Sequence, residues 1–155
     1  MRKSPEPRGE ANGRSSEVAA LLAAVRAVLE NRAFADAARA VLRACKTILG
    51  ADAGLVAVCA AGGKALEVAL LDPGGLELDP AAGLPAPLRR LSARAAKVSQ
   101  TVFANDLSKS TATTPPPGRR SVLESALLAP IVIAGEVAGL VGLINKLGGF
   151  SGADF

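Results

Sequence analysis

Along the chain, apolar residues alternate between helical and extended spacing. From a Ser15-Ser16 cap, Val18, Leu21, Leu22, Val25, Val28 and Leu29 recur every three or four positions, which predicts an amphipathic helix to about Glu30. Asn31-Arg32 interrupts it. A second stripe, Phe34, Ala38, Val41, Leu42, Cys45, Ile48 and Leu49, then runs to Gly50, a residue suited to a left-handed helix stop. Residues 1–14, rich in Pro, Gly and Ser, show no such period and are expected to be a disordered tail.

The spacing then becomes extended. "GLVAVCA", the turn "AGGK", "ALEVALL", the turn "DPGG" and the short "LELD" predict three strands of an antiparallel meander. Pro85 and Pro87 can open a helix whose apolar side holds Leu88, Leu91, Ala95 and Val98. "TVFAND" is a short strand ending in polar residues. Residues 107–120, "LSKSTATTPPPGRR", form a loop longer than a compact domain usually carries, either a lid or a disordered insertion. "ALLAPIVIA" and "VAGLVGLINK" are two strands about a Gly135-Glu136 turn, and Gly139 and Gly142 mark close packing on the last strand. Ser151 and Asp154 stand in the Ser-x-x-acid spacing that starts a helix. This order predicts an α+β fold, a central antiparallel sheet of five to six strands with helices packed on it.

Composition narrows the chemistry. Half of the residues are hydrophobic, but only four are aromatic, all Phe, so the core is built from Leu, Val, Ile and Ala. The chain has no histidine, and its two cysteines, Cys45 and Cys59, lie in separate apolar stretches. A Cys/His zinc site, a Ser-His or Cys-His nucleophile pair and histidine-ligated haem are therefore excluded within this chain. Of the net charge of +4, half falls in the first fourteen residues and the rest is scattered without interleaved aromatics, so nucleic acid is not expected as a partner. No apolar run reaches the about 18 residues of a membrane span, and no signal-peptide pattern is present, which predicts a cytoplasmic protein.

Four segments carry a family resemblance: "ACKTILGADAGLVAV", "TVFANDLSKS", "SALLAPIVIAGEVAGLVGLINK" and "GGFSGADF". Together they resemble a GAF domain, the regulatory module of bacterial sensor kinases, cyclic-dinucleotide enzymes, transcription activators and cyclic-nucleotide phosphodiesterases, from about Phe34 onward. Asn145-Lys146, Phe150 and Asp154 are similar to a signature of cyclic-nucleotide-binding members, with Phe155 where that signature has Glu. The resemblance implies a GAF domain over 33–155 that lacks its final helix, preceded by the helix of 15–32, within a fragment of a longer chain. It further implies a non-catalytic sensor whose small ligand lies between the sheet and a lid, and whose flanking helices form a homodimer and signal to an output domain such as a histidine kinase or diguanylate cyclase. The ligand is open; no metal, haem or bilin is expected.

The cleft so implied would draw on Arg89, Asn105, Asp106, Ser108, Glu124 and Ser125, with Arg90 and Lys109 beside them. Asn105-Asp106 can read a donor-acceptor edge of a heterocycle, or turn the chain after "TVFA" through Asx hydrogen bonds. Arg89-Arg90 can hold a carboxylate or phosphate, but neighbours on a helix point about 100° apart, so one of them at most faces the cleft. Asn145 is expected to satisfy backbone before Gly148-Gly149. The alternative is an interaction or dimerisation module without a ligand. A sulfoxide reductase, which needs several cysteines near its pocket, fits less well.

Overall fold

The computed structural model describes residues 33–60, 65–110 and 122–155. The expected tail of 1–14, the helix of 15–32, the "AGGK" turn and most of the long loop lie outside these residues. Residues Ala38–Phe155 form one compact unit; of the other, Met1–Ala37, the described part is helical.

A helix, α1 (33–49), precedes β1 (Ala51–Cys59) and β2 (Leu66–Asp72). Then come helix α2 (Ala86–Val98), β3 (Val102–Ala104), β4 (Ala126–Ile133) and β5 (Glu136–Lys146). All pairings are antiparallel, in the order β2-β1-β5-β4-β3. The fold is α+β, a five-stranded sheet with a helix on each face.

Alternation along the strands separates two cores. On one face Ala53, Leu55, Ala126, Leu128, Leu140 and Ile144 pack with Leu88, Leu91 and Ala95 of α2. On the other, Val56, Leu127, Leu143 and Phe150 pack with Ala38 and Leu42 of α1, which Cys45 and Leu49 continue at helical spacing. The stripe read from the sequence was wider than the buried one. Val41 is 52% exposed and Ile48 79%, on the side of α1 turned from the sheet. Leu70, Phe103, Ala129 and Val141 on that sheet face are half-buried.

Three expectations are corrected. "LELD" is not a strand: Leu76 N–H donates to Pro73 O at 2.8 Å and Leu78 N–H to Leu76 O at 3.0 Å, so local turns hold the backbone while Leu76 and Leu78 still reach the α2-side core. The β4–β5 turn falls one residue early, on Ala134 and Gly135, whose φ of 52° and 84° suit a two-residue hairpin, with Ile133 paired to Glu136. Val98 is 46% exposed rather than core, because α2 ends at Ser99 in the left-handed region.

The close packing expected on the last strand is present. Gly142 pairs with Leu55 on one side and Leu128 on the other, and a Cβ there would stand 2.9 Å and 3.1 Å from those side chains. At Gly139 a Cβ would stand 2.4 Å from the Ala57 carbonyl oxygen. Leucine side chains can shift, but a paired backbone cannot without opening the ladder. Gly139→Ala is therefore expected to cost about 1–3 kcal/mol, and Gly142→Ala less. Denaturant unfolding of both variants checks the order, and equal costs would contradict it.

Candidate functional site

Helix α2 presents two sides. Leu88, Leu91 and Ala95 are spaced to face the core, while Arg89, Ser92, Ala93, Ala96 and Ser99 line an open cleft of about 1340 Å³. Its floor is the end of the sheet where β1 stops and β2 and β5 begin. Ala57 pairs with Val68 and Cys59 with Leu66, and Leu66, Val68 and Ala138 give the floor an aliphatic surface. Cys59 Sγ donates to Val137 O at 3.0 Å, tying the end of β1 to the start of β5.

The polar groups of this cleft are few and unequally satisfied. Ser92 is 4% exposed, and its Oγ has no hydrogen-bond partner. A buried hydroxyl in that condition costs about 1–3 kcal/mol. Arg89, three residues earlier and exposed, makes no side-chain hydrogen bond or ion pair with a described residue. It is the one cation among the described lining residues, and Glu67 and Glu136 are the carboxylates. Among the described residues no group of three His, Cys, Asp or Glu could hold a metal.

Of the candidate ligand-binding residues read from sequence, Arg89 alone lines this cleft. Arg90 faces a separate hollow of about 230 Å³ with Pro87, Leu91, Arg94 and Leu107. The others gather at the opposite end of the sheet, where β3 and β5 end and β4 begins. Asn105 there is a clamp: its Oδ1 accepts from Phe150 N–H at 2.8 Å and its Nδ2 donates to Phe150 O at 2.9 Å. Asp106 and Ser108 are exposed beside it, and Lys109 falls in the 3₁₀ turn Leu107–Ser110. Glu124 and Ser125 donate their backbone N–H groups to Asn145 Oδ1, at 2.8 Å and 3.2 Å. Ser125 itself is 3% exposed, with an unpartnered Oγ.

Asn145 adopts φ 55°, a conformation Asn tolerates better than most residues, and its Nδ2 also donates to Val122 O at 2.8 Å. The expected satisfaction of backbone thus lies in 122–125. Lys146 pairs with Asp154, whose other oxygen accepts from Ser151 N–H at 2.7 Å, while Ser151 Oγ accepts from Ala153 N–H at 3.3 Å. This is the capping box that the Ser-x-x-acid spacing announced, here on a 3₁₀ turn, Gly152–Asp154. Ser92 escaped the sequence reading, although a signal existed. It stands four residues after Leu88 and three before Ala95, a polar residue inside an apolar stripe.

A family model described as the GAF domain matches residues 31–155. The chain belongs to the GAF domain family. A search of curated proteins finds no match. Among solved structures, it is similar to NreA of Staphylococcus aureus mutated in its nitrate binding site, at TM-score 0.53 and 13% identity, over 77% of this chain and 88% of that one. It is also similar to a methyl-accepting chemotaxis protein, at TM-score 0.51 and 20% identity, over 76% and 79% of the two chains. A type II free methionine-R-sulfoxide reductase of Thermoplasma acidophilum gives TM-score 0.49 and 19% identity, over 77% and 82%. The resemblance and the GAF-like fold read from sequence are thus borne out. No helix among the described residues is long and apolar enough to cross a membrane.

Two predictions follow from the clamped end of this GAF domain. Asn105→Ala removes both bonds to Phe150 and is expected to lower stability by about 1–3 kcal/mol, read as a fall in the unfolding midpoint; an unchanged midpoint would remove the clamp. The Lys146 ammonium, then the Ser151 N–H, hold the Asp154 carboxyl below its ordinary 3.8, and Lys46, 2.6 Å away, does the same for Asp72. A carboxylate lowered on folding contributes stability that is fully present above its unfolded pKa and lost as pH falls through the folded one. The midpoint should therefore drop as pH falls from about 4, and Lys146→Met should flatten part of that drop. An identical acid limb in Lys146→Met would contradict the Asp154 assignment.

Proposed function

We propose that this GAF domain is a non-catalytic sensory module that binds a small molecule between α2 and the sheet and relays occupancy to an output domain of a longer signalling protein. The observation that carries this reading is the Ser92 hydroxyl, buried and unpartnered in a cleft that also holds Arg89, which pairs with none of the described residues. A ligand that supplies the missing partner removes a cost the empty cleft bears. Because α2 contributes both a core side and the cleft wall, a ligand pulling on Arg89 and Ser92 acts on the helix that packs over Leu55, Leu128 and Leu140. That coupling is a means of biasing one arrangement of the domain over another. Two neighbours support the reading: a methyl-accepting chemotaxis protein, and NreA with a nitrate binding site.

A non-catalytic role is further supported by the cysteines. Cys59 borders the cleft, while Cys45 belongs to α1 and packs on the opposite face of the sheet, so the two do not form the thiol pair that sulfoxide reduction requires. Output through a histidine kinase or diguanylate cyclase, residence in the cytoplasm and a homodimer complete the proposal. The dimer is supported by the outward Val41 and Ile48 beside a half-buried sheet face. The same surface favours a second reading, an interaction module without a ligand.

Thermal unfolding against cyclic mononucleotides, cyclic dinucleotides, amino acids, keto acids and aromatic acids separates the readings. A ligand at a hundred times its dissociation constant adds about 2.7 kcal/mol, a shift of several degrees. A shift from one class that Arg89→Gln abolishes supports the sensor. A cooperative melt that no class shifts, together with a dimer that Ile48→Asp dissociates, would favour the interaction module.

A further inference from the structure

We propose that the cleft accepts a short aliphatic carboxylate, with its anion on Arg89 and Ser92 and its apolar body over Leu66, Val68 and Ala138. The inference rests on the reading of the cleft as a ligand site and narrows its occupant by charge, shape and surface.

The charge comes from α2. Arg89 and Ser92 are three residues apart, so they lie on the same side of the helix, and both line the cleft. Arg89 has no ion-pair partner among the described residues, and the Ser92 hydroxyl lacks a partner at 4% exposure. A guanidinium fork and an adjacent hydroxyl converge naturally on the two oxygens of one planar anion. The same groups count against ligands of higher charge. The described lining holds one cation, and Glu67 and Glu136 oppose it, so a second phosphate or carboxylate would meet like charge.

The surface excludes a nucleobase. No Phe lines the cleft among the described residues, and the chain has no Tyr, Trp or His. Phe103 and Phe150 pack in the cluster on the opposite face. A flat heterocycle would find no ring to stack on and few donors in its plane, whereas an alkyl chain finds Leu66, Val68 and Ala138. Glu136, on the first residue of β5, then separates two sources of one chemistry. Its carboxylate attracts the ammonium of an aliphatic amino acid and gives nothing to the corresponding acid without nitrogen.

Calorimetric titration and thermal unfolding of the 155-residue chain with leucine, its keto acid and isocaproate test this, alongside cyclic AMP and a cyclic dinucleotide as the competing class. Binding of an aliphatic carboxylate is expected to weaken about tenfold or more in Arg89→Gln and less in Arg89→Lys, which keeps the charge but loses the fork. Ser92→Ala should weaken it about three- to tenfold, while the ligand-free unfolding midpoint stays or rises, because an orphan buried hydroxyl is gone. A merely structural Ser92 would instead lower that midpoint. Glu136→Gln should leave or tighten isocaproate in either case; weaker leucine binding in that variant assigns the amino acid, and leucine binding left unchanged or tightened assigns the acid without nitrogen. Carboxylate binding that Arg89→Gln leaves unchanged overturns the proposed seat. A cyclic nucleotide that binds in a Ser92-dependent way while no carboxylate does overturns the ligand class and leaves the small-molecule reading standing. No binding from either class, on a chain that melts cooperatively, overturns both.

Discussion

Strand β5 has both of its edges paired and apolar packing on both of its faces, and the other strands and helices are placed by what they bring against it. Gly142 sets the terms. Leu55 and Leu128, each fully buried on a neighbouring strand, lean over the space where its side chain would be. Gly139 does the same for the β1 backbone, with the Ala57 carbonyl close above it. Three strands drawn together in this way present one smooth apolar floor, on which α2 lies through Leu88, Leu91 and Ala95.

The two ends of β5 do different work. At its finish, backbone needs are met by amides. Asn145 holds 122–125, Asn105 holds Phe150, and Lys146 holds Asp154, so the end of the long loop and the final turn are tied to the sheet. At its start, Glu136 and Ala138 border an open cleft in which Arg89 and Ser92 have no side-chain partner among the described residues. At the finish the Ser125 hydroxyl is also buried without a partner, but it lines none of the clefts described above, whereas at the start Ser92 and Arg89 stand together on an open one. That contrast, more than the size of the cleft, is what the proposed ligand site rests on.

Much of the fold was legible because its signals are local. Helical spacing through Ala38, Leu42, Cys45 and Leu49, the glycines of β5 and the Ser151–Asp154 cap each carry their own reason, and each is present. Errors arose where a local pattern met a long-range demand. Leu76 and Leu78 alternate as a strand would, but turn bonds hold them against the core instead of a ladder. Val41 and Ile48 look like core by spacing, yet face away from the sheet. The site was less legible. Asn105 has the chemistry of a ligand reader, and only the position of Phe150, forty-five residues away, shows that its amide is already engaged. Ser92 required knowing that a polar residue inside an apolar stripe has no neighbour to satisfy it.

The GAF family supplies the frame, a sheet with helices packed on it, and this chain's own residues set the open cleft of the proposed site at one end of that sheet. The measurement that tests the account most directly is backbone amide NMR of the labelled chain during titration with a binding ligand. The account predicts shift changes gathered on Cys59–Ala60, Leu66–Val68, Arg89–Ser99 and Glu136–Ala138, with Asn105, Glu124 and Asn145 still. Changes centred on Asn105–Leu107 and 122–125, with α2 unperturbed, would move the site to the opposite end of the sheet and contradict it.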